Sequence, residues 1–102
     1  MKNRLVVKIK MYKCNLSIGQ LHNLAMEWCE TTSLRYNQKG LLSVASGYFS
    51  ETDKYIEIEA KHINLSDKTY LINDIYNYVS YLVQTLLIAN NIKFDLEWKW
   101  KE

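Results

Sequence analysis

Apolar and polar residues alternate through LVVKIKMYK, residues 5–13. Leu5, Val7, Ile9 and Met11 fall on one face, and Lys8, Lys10 and Tyr12 on the other. A period of two predicts a half-buried strand. The pattern then changes. Ser17-Ile18-Gly19-Gln20 fits a capping box, with Leu16 and Leu21 at the flanking staple positions. The helix that follows carries Ile18, Leu21, Ala25, Trp28 and Thr32 on one stripe, with Gln20, Asn23, Glu27 and Glu30 opposite. It is expected to end near Thr31 to Ser33, where hydroxyl and β-branched residues gather. Leu41 to Phe49 reads as a second strand, with a bulge or bend expected at Gly47. Tyr55 to Ile63 alternates again, with Ile56, Ile58 and Ala60 inward. Ser66 or Asp67 offers an N-cap for a long helix, whose Ile72, Ile75, Val79, Leu82 and Leu86 recur at helical spacing. A short extra strand over Lys68 to Ile72, with the helix starting at Asn73, is the alternative parse. Asn90-Asn91 suits a left-handed helix stop. The last element alternates most regularly, with Ile92, Phe94, Leu96, Trp98 and Trp100 inward, so the two tryptophans are expected to close the end of the core.

The order strand, helix, strand, strand, helix, strand predicts an α+β fold. Two right-handed crossovers joined by a hairpin make a ferredoxin-like βαββαβ sandwich: a four-stranded antiparallel sheet, order 4-1-3-2, with two helices on one face. In that order the first and third strands are antiparallel neighbours. Setting Ile9 against Ile58 places Lys8 opposite Glu59, Lys10 opposite Glu57 and Tyr12 opposite Tyr55 on the open face. Residues 1–102 are expected to form one domain, since a chain of this length has room for one core.

Composition sharpens this picture. The chain has no proline and three glycines, where average usage of ~5% and ~7% would give about five and seven. Few breakers imply long, uninterrupted elements. Hydrophobic residues at 48% and charged residues at 24% exclude a disordered or low-complexity chain. The net charge of +2 is too small to argue for nucleic acid. The bases Lys2, Arg4, Lys8, Lys10 and Lys13 cluster early, and the acids of the third strand are expected to match them. Lysine outnumbers arginine eleven to two, which disfavours bidentate phosphate or base recognition. The charged N-terminus does not read as a signal peptide. The uncharged run from Ile75 to Ile92 holds too many amides and hydroxyls for a membrane span. The expectation is a cytoplasmic protein with reduced Cys14 and Cys29, and the Lys-, Asn- and Ile-rich usage suggests a low-GC bacterium or its phage.

Recognisable chemistry is sparse. No phosphate-loop, dinucleotide, zinc-protease, paired-cysteine or nucleophile-elbow motif occurs. Met11-Tyr12-Lys13-Cys14-Asn15 offers neither a glycine-rich anion loop nor a second thiol. RNA-binding sheets of this topology stack bases on aromatics of the first and third strands. Here the middle of that platform is Lys8, Lys10, Glu57 and Glu59. His22 is expected at the margin of the first helix stripe, and His62 on the inward parity of the third strand. Cys29 is expected to pack as a small apolar residue and Cys14 to lie in a loop. No catalytic residue, metal ligand or cofactor site is expected, and the reading leans away from an enzyme without deciding it.

The second helix is the exception to an ordinary surface. From Thr69 to Ile92 its only charge is Asp74. With the apolar stripe on the sheet, Tyr70, Asn73, Asn77, Tyr81, Gln84 and Ile88 turn outward and Tyr78 lies at the border. Interface cores are depleted in Lys, Glu and Asp and enriched in tyrosine. These seven residues are the expected partner-binding set, for another protein or a second copy of the chain. The expected function is a small protein-binding module of the inhibitor, immunity, antitoxin or phage anti-defence kind. The alternatives are a homodimeric ligand-binding or enzyme domain and, more remotely, a nucleic-acid-binding accessory that uses the basic N-terminal residues.

Overall fold

A computed structural model describes residues 3–102. Its elements are β1 (Arg4–Tyr12), α1 (Ile18–Arg35), β2 (Leu42–Tyr48), β3 (Lys54–Ala60), α2 (Lys68–Leu82) and β4 (Lys93–Lys101), with a π-helical segment, Val83–Ile88, continuing α2. The extra-strand parse of residues 68–72 is therefore set aside. Ser17 caps α1, its Oγ accepting the Gln20 amide at 3.4 Å. The helix outruns its expected end because Thr32 and Ser33 are both buried rather than solvated. The Ser33 hydroxyl donates to the Cys29 carbonyl at 2.7 Å and accepts the Leu42 amide at 2.9 Å, tying the helix to the start of β2. Asn37, at φ 54°, then stops the helix.

The four strands form one antiparallel sheet in the order β2-β3-β1-β4. Counted from the β4 edge, the same neighbours read 4-1-3-2. The register of β1 on β3 differs from expectation by two residues. Ile9 lies opposite Ile56 and Val7 opposite Ile58, so Lys8 faces Glu57 and Lys10 faces Tyr55. A two-residue shift keeps every side chain on its face, so hydrophobic alternation alone could not distinguish the two registers. Tyr12 lies opposite Lys93 of β4 rather than Tyr55, and its hydroxyl donates to Asp95 at 2.7 Å. The early bases are consequently shared between both neighbouring strands: Arg4 pairs with Glu59 of β3, and Lys10 approaches Glu97 of β4 at 3.8 Å.

Gly47 makes no bulge, because β2 pairs with β3 without interruption from Leu42 to Tyr48. The glycine is needed for another reason. A Cβ there would come within 2.8 Å of the Tyr55 ring, which lies across the strand. β3 ends at Ala60, three residues earlier than expected. His62 therefore leaves the inward parity and sits exposed in a left-handed turn at φ 54°.

Leu5, Val7, Ile9, Met11, Leu42, Ile56, Ile58 and Ala60 share one buried cluster with Leu21, Ala25 and Cys29 of α1 and Leu71, Ile75, Val79 and Leu82 of α2. Both helices thus cover the same face of the sheet. The α2 stripe begins at Leu71, fully buried, rather than at Ile72. At its far end Leu87, not Leu86, is in the core, because the wider π turn inserts one residue into the stripe. Asn91 at φ 57° ends the segment, and the Ile92 amide returns to the Leu87 carbonyl at 2.8 Å. β4 departs from expectation most. As an edge strand it is only partly covered by the core: Phe94 and Trp100 pack against it half-buried, while Leu96 and Trp98 stay 41% and 39% exposed. Trp98 does not close the core.

Candidate functional site: the outer face of α2

Core packing fixes the orientation of α2. With Leu71, Ile75, Val79 and Leu82 on the sheet, Tyr70, Asn73, Asn77, Tyr81, Gln84 and Ile88 all fall on exposed positions. Tyr70 is 71%, Tyr81 57% and Ile88 58% exposed. Six of the seven residues singled out by periodicity therefore share one solvent-facing strip.

Tyr78 is the exception. It turns toward α1, where its ring stacks on Trp28 with centroids 4.2 Å apart and planes 2° from parallel. Its hydroxyl donates to the Leu24 carbonyl at 3.2 Å. Burial, with the nearby Cys29, Tyr81 and Glu27 adding to it, pushes this phenol up to about 12. Tyr78 closes the seam between the helices and supports Tyr81, whose ring centroid lies 6.4 Å away.

Asp74, the one charge of the segment, is also drawn aside. It accepts a 2.6 Å hydrogen bond from the Tyr36 hydroxyl and lies 3.6 Å from Arg35, both at the end of α1. Burial pushes the Tyr36 phenol up to about 12, helped by this hydrogen bond and by the Asp74 charge. The strip from Tyr70 to Ile88 is therefore phenol, amide and aliphatic surface, with the partly exposed Asp74 turned to its α1 margin and Lys68 at the helix start over the Trp100 ring. Periodicity indicates this strip, but it could not show that Asp74 leaves it, since that depends on where α1 ends.

The same seam side-steps a second aromatic site. On the β4 side of α2, Tyr76 approaches Trp98 at 6.4 Å between ring centroids. Both are exposed, as is Leu96. The alternation of β4 points Leu96 and Trp98 to the helix side, where a tryptophan can either close the core or anchor a partner, and it does not encode the approach of Tyr76.

Other candidates are occupied by structural roles. A groove of about 540 Å³ between α1 and β2 is lined by Met26, Cys29, Ser33, Leu34 and Val44, with Glu30 and Lys39 among its charged groups. Ser33 is committed in both directions, as donor and acceptor. Burial pushes the Cys29 thiol up to about 12, with Glu30 adding to it, so the thiolate is disfavoured at neutral pH. Cys14 lies in the loop between β1 and α1, as expected, but is buried there, and its amide donates to the Thr52 carbonyl at 2.9 Å. His22 Nδ1 lies 2.8 Å from Ser46 Oγ, a side-chain contact between α1 and β2. On the open face Lys8 Nζ sits 4.6 Å from the Tyr55 ring centroid and 5.2 Å from that of Phe49, with Lys10 also over Phe49. These lysines lie over Tyr55 and Phe49, although Phe49 remains 44% exposed. Among the described residues, no group of three or more His, Cys, Asp or Glu could hold a metal ion, and no helix is long and apolar enough to cross a membrane.

Compared with known proteins, the chain matches no family model, and no curated protein or solved structure shows significant similarity to it.

Proposed function

We propose that this chain acts by binding another protein, and that the outer face of α2 is its contact surface. The observation that carries this reading is the uncharged strip of Tyr70, Asn73, Asn77, Tyr81, Gln84 and Ile88, from which Asp74 is withdrawn by Tyr36 and Arg35. A solvated helix ordinarily keeps charge on its outer face. A strip of exposed tyrosine and isoleucine with amides between them has the make-up of an interface core. The stacked Trp28–Tyr78 pair at its margin ties α2 to α1, and a surface held in place before binding loses less entropy on binding.

Two helices over a four-stranded antiparallel sheet in the order 2-3-1-4 support reading the chain as a ferredoxin-like sandwich, a scaffold on which function is set by surface rather than by fold. Small size, few irregular loops and the committed Ser33 and Cys29 favour a binding module over an enzyme. The reading includes inhibitor, immunity, antitoxin and phage anti-defence factors of cytoplasmic bacterial origin.

The test is comparative capture from the native cell or its host. Wild-type protein should retain a specific partner, and Tyr81→Lys with Ile88→Lys should lose it while keeping the wild-type melting curve. Glu27→Lys, on the outer face of α1, should retain it. Capture that survives the α2 changes would overturn the assignment.

A further inference from the structure

The outer edge of β4 carries a second, independent feature. β4 ends the sheet, and among the described residues no strand pairs with its free side. It is nine residues long and regular, without proline or glycine. A long exposed edge of this kind is a template for pairing with another strand. Its sequence, KFDLEWKWK, divides by parity. Phe94, Leu96, Trp98 and Trp100 lie on the helix-side face, and Lys93, Asp95, Glu97, Lys99 and Lys101 on the open face.

Which partner this edge fits follows from its own charge order. In a two-fold antiparallel pairing of β4 with itself, opposed residues share a face, so each register is centred on one residue that meets its own copy. Centring on Leu96 sets Asp95 against Glu97 and Lys93 against Lys99. Centring on Asp95, Glu97 or Lys99 sets that charge against itself. Centring on Trp100 sets Lys99 against Lys101, and centring on Phe94 overlaps only Lys93 to Asp95 of the strand. Centring on Trp98 overlaps seven strand residues and sets Glu97 against Lys99 and Asp95 against Lys101, each twice, with no like pair. That register also puts Trp98 against Trp98 and Leu96 against Trp100 on the helix side. It would cover the two residues that α2 leaves more than a third exposed. The other edge strand, β2, has no charged residue and so nothing of this kind to select a register.

We propose that two copies of this chain pair through β4 in the register centred on Trp98, joining their four-stranded sheets into one continuous sheet. The charged residues of β4 act as a self-complementary code, and Leu96, Trp98 and Tyr76 supply the apolar contact. This dimer leaves the α2 strip open, so it stands apart from the partner-binding reading.

Sedimentation equilibrium on purified protein tests it. Wild-type protein should form a reversible dimer of twice the chain mass. Glu97→Lys alone, or Lys99→Glu alone, should weaken the dimer at least tenfold while the circular dichroism melt stays cooperative, Glu97→Lys also losing the weak pair with Lys10. An equimolar mixture of the two variants should recover it as a heterodimer, because each lysine then faces a glutamate. Tyr81→Lys should leave the dimer unchanged. A wild-type chain that stays monomeric at millimolar concentration would overturn the proposal. So would a dimer indifferent to both reversals, or a mixture that fails to recover.

Discussion

The rings of Trp28 and Tyr78 lie 4.2 Å apart and nearly parallel, so α1 and α2 are joined by an aromatic stack as well as by aliphatic packing. The stack separates two tyrosines that sequence periodicity grouped together. Tyr78→Ala should cost about 2–4 kcal/mol, since it removes a half-buried ring and its stacking partner's contact. Tyr78→Phe should cost about 1 kcal/mol, the net value of the hydrogen bond to the Leu24 carbonyl. Tyr81→Ala, on the exposed strip, should change stability by less than about 0.5 kcal/mol. Urea melts of the three variants give this ranking, and equal losses at Tyr78 and Tyr81 would contradict it.

Ser33 is the second structural anchor. Its hydroxyl is buried and bridges the Cys29 carbonyl and the Leu42 amide. Ser33→Ala removes little volume but leaves a buried N–H without its acceptor, at a cost of about 1–3 kcal/mol. Hydrogen exchange should locate the loss at the start of β2, with the Leu42 amide exchanging faster than in the wild-type protein.

Gly47 permits the Tyr55 ring to lie across β2. Gly47→Ala should destabilise, because the new methyl would meet ring atoms at 2.8 Å. In a Tyr55→Ala background the same change should cost far less, and a double-mutant cycle measures the difference. Equal costs in both backgrounds would place the strain elsewhere.

Two kinds of group set the pH limits of stability. Burial raises the pKa of Glu59, but the hydrogen bond and charge of Arg4, with Lys61, outweigh it and hold the carboxyl below its ordinary value. A depressed carboxylate contributes stability above its unfolded value, about 4.3, and loses it as pH falls through the folded value. Arg4→Met should flatten the acid limb of a stability profile. At the alkaline end Cys29, Tyr36 and Tyr78 are each pushed up to about 12, chiefly by burial. Their stabilising effect is complete below the unfolded values, roughly 8.5 for Cys and 10 for Tyr. It is lost as pH rises toward 12. Tyr36→Phe should remove part of that alkaline loss, as denaturant melts between about pH 8 and 11 would show.

Much of this was legible in the chain. Alternation in β1, β3 and β4, the Ser17 cap and the Asn91 stop depend on local chemistry, and local chemistry is written in sequence. The β1–β3 register was not, because shifting Ile9 from Ile58 to Ile56 preserves both faces and only the loops decide between them. Nor was the exposure of Leu96 and Trp98. Parity tells which face a residue takes, but not whether a helix reaches far enough to cover it. The π segment likewise moved the core position from Leu86 to Leu87, a one-residue change that a fixed helical period cannot anticipate. The α2 strip was indicated by missing charge, whereas Tyr78 left it through a contact with Trp28 that no spacing rule encodes.

The most direct test of the α2 assignment is photo-crosslinking in the native cell. A benzoylphenylalanine in place of Tyr81 is compared with one in place of Asn23, exposed on α1. The account predicts a discrete adduct with one other protein from position 81, lost when Ile88→Lys is added, and none from position 23. Matching adducts from both positions, or none from position 81, would contradict it.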